Sequence, residues 1–92
     1  MIKLLDYQGN PIQLRRLYED RRCQIYSDWC FVLDFSERSG TVSFAYDDGR
    51  IKTFSLAEAS QFTRGLRVLG EENQRNFDTI RLRVEGLVKA VA

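Results

Sequence analysis

Two runs of alternating apolar and polar residues, Thr41–Tyr46 and Arg50–Phe54, meet across Asp47-Asp48-Gly49. An Asp-Gly step supplies the positive φ of a tight hairpin, so the segment predicts two antiparallel strands joined end to end. Val42, Phe44 and Tyr46 then share one face. The partner adds either Ile51 and Thr53 or Lys52 and Phe54 to that face, because a one-residue slip inverts every side chain.

Around this hairpin the neighbouring segments also read as short strands. Residues 2–14 carry an apolar run (Ile2 to Leu5), the turn-rich Asp6–Pro11, and a second short run, Ile12 to Leu14, which together predict an N-terminal hairpin. Pro11 also allows a helix capped by Asn10, with Leu14, Leu17 and Tyr18 on one face. The hairpin is preferred, followed by a helical turn over 15–20 that sets Arg15 with Glu19 and Arg16 with Asp20 at i, i+4. Cys23–Tyr26 and Trp29–Phe35 flank Ser27-Asp28 as two further strands. In that pairing Cys30 falls diagonal to Cys23, a poor geometry for a disulfide, so two thiols are expected.

The character changes at Ser55. Ser55 and Glu58 have the spacing of a capping box, and Leu56, Ala59, Phe62, Leu66 and Leu69 recur at helical intervals. These predict a helix over 56–69, weakened by Gly65 and closed by Gly70 as its C-terminal cap. Beyond a polar stretch, Phe77, Ile80, Val84, Leu87, Val88 and Val91 recur in threes and fours, predicting a second helix over 73–90. Leu82 does not fit that stripe. A strand over 79–84 would place Ile80, Leu82 and Val84 in strict alternation, but the helix accounts for all the later apolar positions with one period.

The fold class expected is α+β in one domain, 1–92, at a length of 92 residues. A small, mostly antiparallel sheet over 2–54 combines the N-terminal hairpin with a three- to four-stranded meander. Two C-terminal helices follow and cover one sheet face.

Chemistry is bounded by what the chain lacks. It contains no histidine and two cysteines seven positions apart, so histidine-based nucleophile systems and His-ligated metal sites are outside its repertoire, and no CxxC is present. The neighbouring aspartates before Gly49 are ordinary turn chemistry. No catalytic residue, metal ligand or cofactor is expected. The apolar start, Ile2 to Leu5, is too short for a signal peptide, and no apolar run approaches the roughly 18 residues of a membrane span. A cytoplasmic protein that engages no membrane is the expectation.

Charge points two ways. The formal net charge is +1, yet residues 1–27 carry +2, 28–54 carry −2 and 55–92 carry +1. Arginines outnumber lysines eleven to three, and arginine suits both phosphates and protein interfaces. The order strand, strand, strand, helix resembles small domains that lay a three-stranded sheet into the DNA major groove, such as the arm-binding domains of tyrosine recombinases. That resemblance is one of element order without a shared motif. It implies a nucleic-acid surface at Arg15, Arg16, Arg21 and Arg22, or at Arg64, Arg67 and Arg75. Acidic strands oppose such a surface, since a phosphate backbone requires cations.

The preferred expectation is a non-catalytic interaction or regulatory module that binds another protein or a second copy of itself. Its candidate contacts are Tyr26 and Trp29, which flank a turn, and the stripe Phe77, Ile80, Val84, Leu87 and Val91. Tyrosine, tryptophan and arginine dominate interface hot spots, and an amphipathic stripe fits a partner surface as well as it fits the chain's own sheet.

Overall fold

The computed structural model describes residues 4–22 and 28–91. They form one five-stranded antiparallel sheet in the order β4-β3-β2-β1-β5. The strands are β1 (Tyr18–Asp20), β2 (Asp28–Ser36), β3 (Thr41–Tyr46), β4 (Ile51–Ser55) and β5 (Leu66–Val68). Helix α1 (Leu56–Phe62) follows β4, while the short α2 (Glu71–Gln74) and the long α3 (Phe77–Val91) close the chain. The α+β class, the antiparallel sheet and the C-terminal helix agree with the sequence reading.

The hairpin at Asp47-Asp48-Gly49 forms as expected. Gly49 sits at φ +93°, and Tyr46 N–H donates to Arg50 O at 2.8 Å. Register then decides the face that the sequence left open: Val42 pairs with Phe54 and Phe44 with Lys52. Phe54 and Lys52 therefore join Phe44 and Tyr46, while Ile51 and Thr53 lie on the other face.

Both faces of the sheet are covered, and here the structure corrects the expectation of one covered face. Tyr18, Cys30, Val42, Phe44 and Tyr46 pack with Ala59 and Phe62 of α1 and with Leu66. On the reverse face, Leu17, Phe31 and Ala45 pack with Phe77, Ile80 and Val84 of α3. Successive residues such as Cys30 and Phe31 are both fully buried. A strand apolar on both faces needs a layer on each.

Three segment assignments also change. Residues 15–20 do not form a helical turn; Tyr18–Asp20 become β1, flanked by β2 and β5. The i, i+4 pairs give way to long-range ones, Arg15 with Asp78, Arg16 with Glu71 and Glu19 with Arg67, while Asp20 binds Arg22 two positions on. The predicted helix over 56–69 ends at Phe62, passes through a 3-10 turn at Thr63–Gly65 and returns as β5. A strand buried inside a sheet must pair along both edges, and β5 supplies the second edge for β1. Gly70, with φ −64°, caps the start of α2 rather than the end of α1. The predicted helix over 73–90 is two pieces. Within the second, residues 79–84 are helical and Leu82 faces solvent, 62% exposed.

Gln74 explains why α2 exists. Its amide oxygen accepts from Leu17 N–H at 2.8 Å, and its amide nitrogen donates to Leu17 O and Leu69 O at 3.0 and 2.9 Å. The side chain thus supplies the hydrogen bonds of a missing strand residue beside Leu17. At the N-terminal end, the predicted hairpin is present among the described residues as the bridge of Leu5 with Pro11, flanked by bonds from Asp6 N–H to Asn10 O and from Ile12 N–H to Leu4 O. Buried Asp6 braces this loop by accepting from Gln8 N–H and Asn10 N–H.

Candidate functional site

Two regions could carry function: a charged and aromatic cluster on the α1 face, and the outer flank of the sheet at β4.

The cluster is built on Asp20, which β1 places almost fully buried. One carboxylate oxygen accepts from Arg22 N–H at 3.1 Å and from Arg22 Nε at 2.8 Å, and the other accepts from the Tyr46 hydroxyl at 3.0 Å. Burial alone would raise the Asp20 pKa, but the Arg22 and Tyr46 donors and the Arg22 charge outweigh it, so the carboxyl lies below its ordinary value. The Tyr46 phenol is pushed far up, first by burial and then by the neighbouring Cys30 and Asp20. It therefore remains a neutral donor. Burial also raises the Tyr18 phenol, whose oxygen accepts from Gln13 N–H at 2.9 Å.

Cations spread over the rings of this cluster. The Arg22 guanidinium lies 4.2 Å from the Phe62 ring centre, Arg50 lies 4.7 Å from that of Tyr46, and Lys52 Nζ lies 5.3 Å from Tyr46 and 5.9 Å from Phe62. Such contacts hold the cations against the protein. The arrangement ties β1, β3 and β4 to α1.

The four arginines singled out for phosphate are likewise engaged. Arg15 reaches Asp78 at 3.0 Å, Arg16 reaches Glu71 at 2.9 Å and Arg22 reaches Asp20, while Arg21 lies 3.7 Å above the Tyr7 ring. Arg67 is paired with Glu19 at 2.6 Å. They do not converge on one face. No group of three or more His, Cys, Asp or Glu among the described residues could hold a metal ion, and no helix among them is long and apolar enough to cross a membrane.

The candidate interface stripe divides. Phe77, Ile80 and Val84 are buried beneath the sheet, with Phe77 tilted against Phe31 at 5.5 Å, and Trp29 is half-buried beside them. Those four positions serve the chain's own core. Leu87 is different: it is 44% exposed and rests on the β3–β4 turn, where a Cβ on Gly49 would lie 3.4 Å from it. Tyr26 lies outside the described residues, and so does Cys23, with the question of its pairing; the Val91 side chain is likewise not described.

Sequence reasoning missed β4 as a surface. The bonds from Tyr46 N–H to Arg50 O and from Leu56 N–H to Gly40 O share the β3–β4 register. Alternation therefore aims the backbone of Lys52 and Phe54 at β3 and that of Ile51, Thr53 and Ser55 outward. The Ser55 N–H is taken by Glu58 Oε1 at 3.1 Å, within a capping box that also bonds Glu58 N–H to the Ser55 hydroxyl. No described residue pairs with the backbone of Ile51 or Thr53. Ile51 is itself 43% exposed, on the same face as α3. The opposite edge differs, because Tyr7 N–H donates to Leu66 O at 2.8 Å.

The flank thus combines an open strand edge with two exposed aliphatic side chains beside one turn. Searches against protein-family models, curated proteins and solved structures find no match for this chain.

Proposed function

We propose that this chain is a non-catalytic cytoplasmic module that works by binding protein, and that its contact surface is the β4 flank with Ile51, Thr53 and Leu87. One observation carries the reading: an open strand edge, bordered by aliphatic side chains, lies beside the turn that α3 covers. Strand addition to such an edge gives affinity through the main chain and selectivity through the flanking side chains. The same edge left bare invites aggregation, so a cover would protect it. The engagement of Arg15, Arg16, Arg21 and Arg22 by the chain's own groups favours protein over nucleic acid as the partner.

The test compares affinity capture from native extract by the wild type, by an Ile51→Glu/Leu87→Glu variant and by Leu82→Glu. A stoichiometric protein retained by the wild type and by Leu82→Glu, and lost with the double variant, supports the reading. Equal retention by all three, or recovery of nucleic acid alone, contradicts it.

A further inference from the structure

We propose that the Asp48-Gly49 step is a site of spontaneous isoaspartate formation, that the folded hairpin holds this reaction back, and that Arg50 is the restraining residue. The proposal does not depend on the β4 flank being a contact surface.

The chemistry belongs to the pair itself. With the Asp48 carboxyl in its neutral form, the Gly49 main-chain nitrogen attacks Cγ. A C–N bond forms, and the carboxyl hydroxyl leaves as water with the amide proton. Water then reopens the five-membered imide at either carbonyl. Opening at Cγ restores aspartate, whereas opening at the main-chain carbonyl routes the chain through Cγ as isoaspartate. Water is the only co-reactant. Glycine has no side chain to obstruct the attack, and Asp48 is the one aspartate or asparagine in the chain that glycine follows. Its side chain is 52% exposed, so water reaches it.

Three contacts oppose ring closure in the folded chain. The nucleophile is engaged, since Gly49 N–H donates to Tyr46 O at 2.9 Å. The electrophile is engaged as well: Asp48 Oδ1 accepts from Arg50 N–H at 3.0 Å and Oδ2 accepts from Arg50 Nε at 2.6 Å. Both carboxyl oxygens are thus turned to Arg50 and the nitrogen to Tyr46. Reaction requires the carboxyl to leave Arg50 and the amide to leave Tyr46 together. Gly49 is also seated, at φ +93°, beneath Leu87.

The product does not fit the same turn. Isoaspartate adds one carbon to the main chain between Tyr46 and Arg50, whose N–H and carbonyl close the hairpin at 2.8 Å. The closure and the seat under Leu87 cannot both persist with the longer link.

The experiment is incubation of the purified chain at neutral pH in heavy-oxygen water, followed by proteolysis in ordinary water and mass spectrometry. Each opening of the imide leaves one heavy oxygen at position 48, and isoaspartyl peptides separate from aspartyl ones by retention. Folded wild type, Arg50→Gln and Arg50→Lys are compared with wild type unfolded in urea. The unfolded chain should label fastest and the folded wild type slowest. Arg50→Gln should label roughly tenfold faster than the wild type, the effect of losing one bond to a charged group. Arg50→Lys keeps the main-chain N–H and the charge but loses Nε, so it should fall between. Circular dichroism checks that the variants are folded; if Arg50→Gln is not, Arg50→Lys decides alone. No label at Asp48 in the unfolded chain overturns the site. Equal rates in folded and unfolded wild type overturn the protection, and equal rates in the wild type and the folded variants overturn the role of Arg50.

Discussion

The Tyr46 hydroxyl donates a hydrogen bond to Asp20 across the buried end of the sheet, at 3.0 Å, joining β3 to β1 over the intervening β2. Asp20 is in turn clasped by Arg22. Tyr46→Phe should therefore destabilise the chain by about 1.5–3 kcal/mol, the worth of one bond to a charged group. Asp20→Ala, which strands both the phenol and the guanidinium, should cost more, about 2–4 kcal/mol. Urea denaturation of the three proteins checks the order.

The same carboxylate sets an acid limit. The Asp20 pKa is lowered in the folded chain, so its contribution is whole above the ordinary carboxylate value near 3.9 and is lost as pH falls through the lowered folded value. Stability measured by denaturation from neutral pH downward should fall more steeply in the wild type than in Asp20→Asn. Parallel curves for the two proteins would show that Asp20 is not the group concerned.

Gly65 makes room for Arg22. A Cβ there would lie 2.9 Å from Arg22 Nε and 3.0 Å from Cζ, while Asp20 and the Phe62 ring hold the guanidinium from the other sides. Gly65→Ala is expected to cost roughly 1–2 kcal/mol through this overpacking. In an Arg22→Ala background most of that cost should disappear, so the double-mutant cycle should show coupling between the two positions.

Helix α3 gives a sharp contrast between neighbours in sequence. Ile80 is buried against the sheet and Leu82 faces solvent. Ile80→Ala should cost about 2–4 kcal/mol and Leu82→Ala no more than about 0.5. Equal costs at the two positions would match a strand at 79–84 and contradict the helix.

These contrasts also show where the sequence was readable. The Asp-Gly turn, the Ser55 capping box and the three-and-four spacing of Phe77, Ile80 and Val84 are local signals, and each formed where its pattern placed it. β1 and β5 are three residues each. Neither has a local period; β1 is a strand because it pairs with β2 and β5, and β5 because it pairs with β1, which only the assembled sheet decides. Leu66 and Leu69 continued the helical spacing of α1 by coincidence of interval, and the 3-10 turn at Thr63–Gly65 ended it. The second covered face had its signal in Cys30-Phe31-Val32-Leu33, a continuous apolar run rather than an alternation.

The candidate site was less legible than the fold. Phe77, Ile80, Val84 and Trp29 were apolar enough to serve as contacts, but the sheet took them first. An open edge has no residue signature of its own, because it is defined by the strand that fails to arrive. Ile51 and Leu87 are ordinary aliphatics until register and the Gly49 turn bring them to one flank.

The most direct measurement is photo-cross-linking in native extract, with a photoreactive residue at Thr53 and a control at Glu72 on α2. Adducts to protein from position 53, weak or absent from position 72, are the predicted result, with a mass of twice the chain if the partner is a second copy. Silence at position 53, or adducts equally abundant from both positions, would contradict the assignment of the β4 flank as the contact surface.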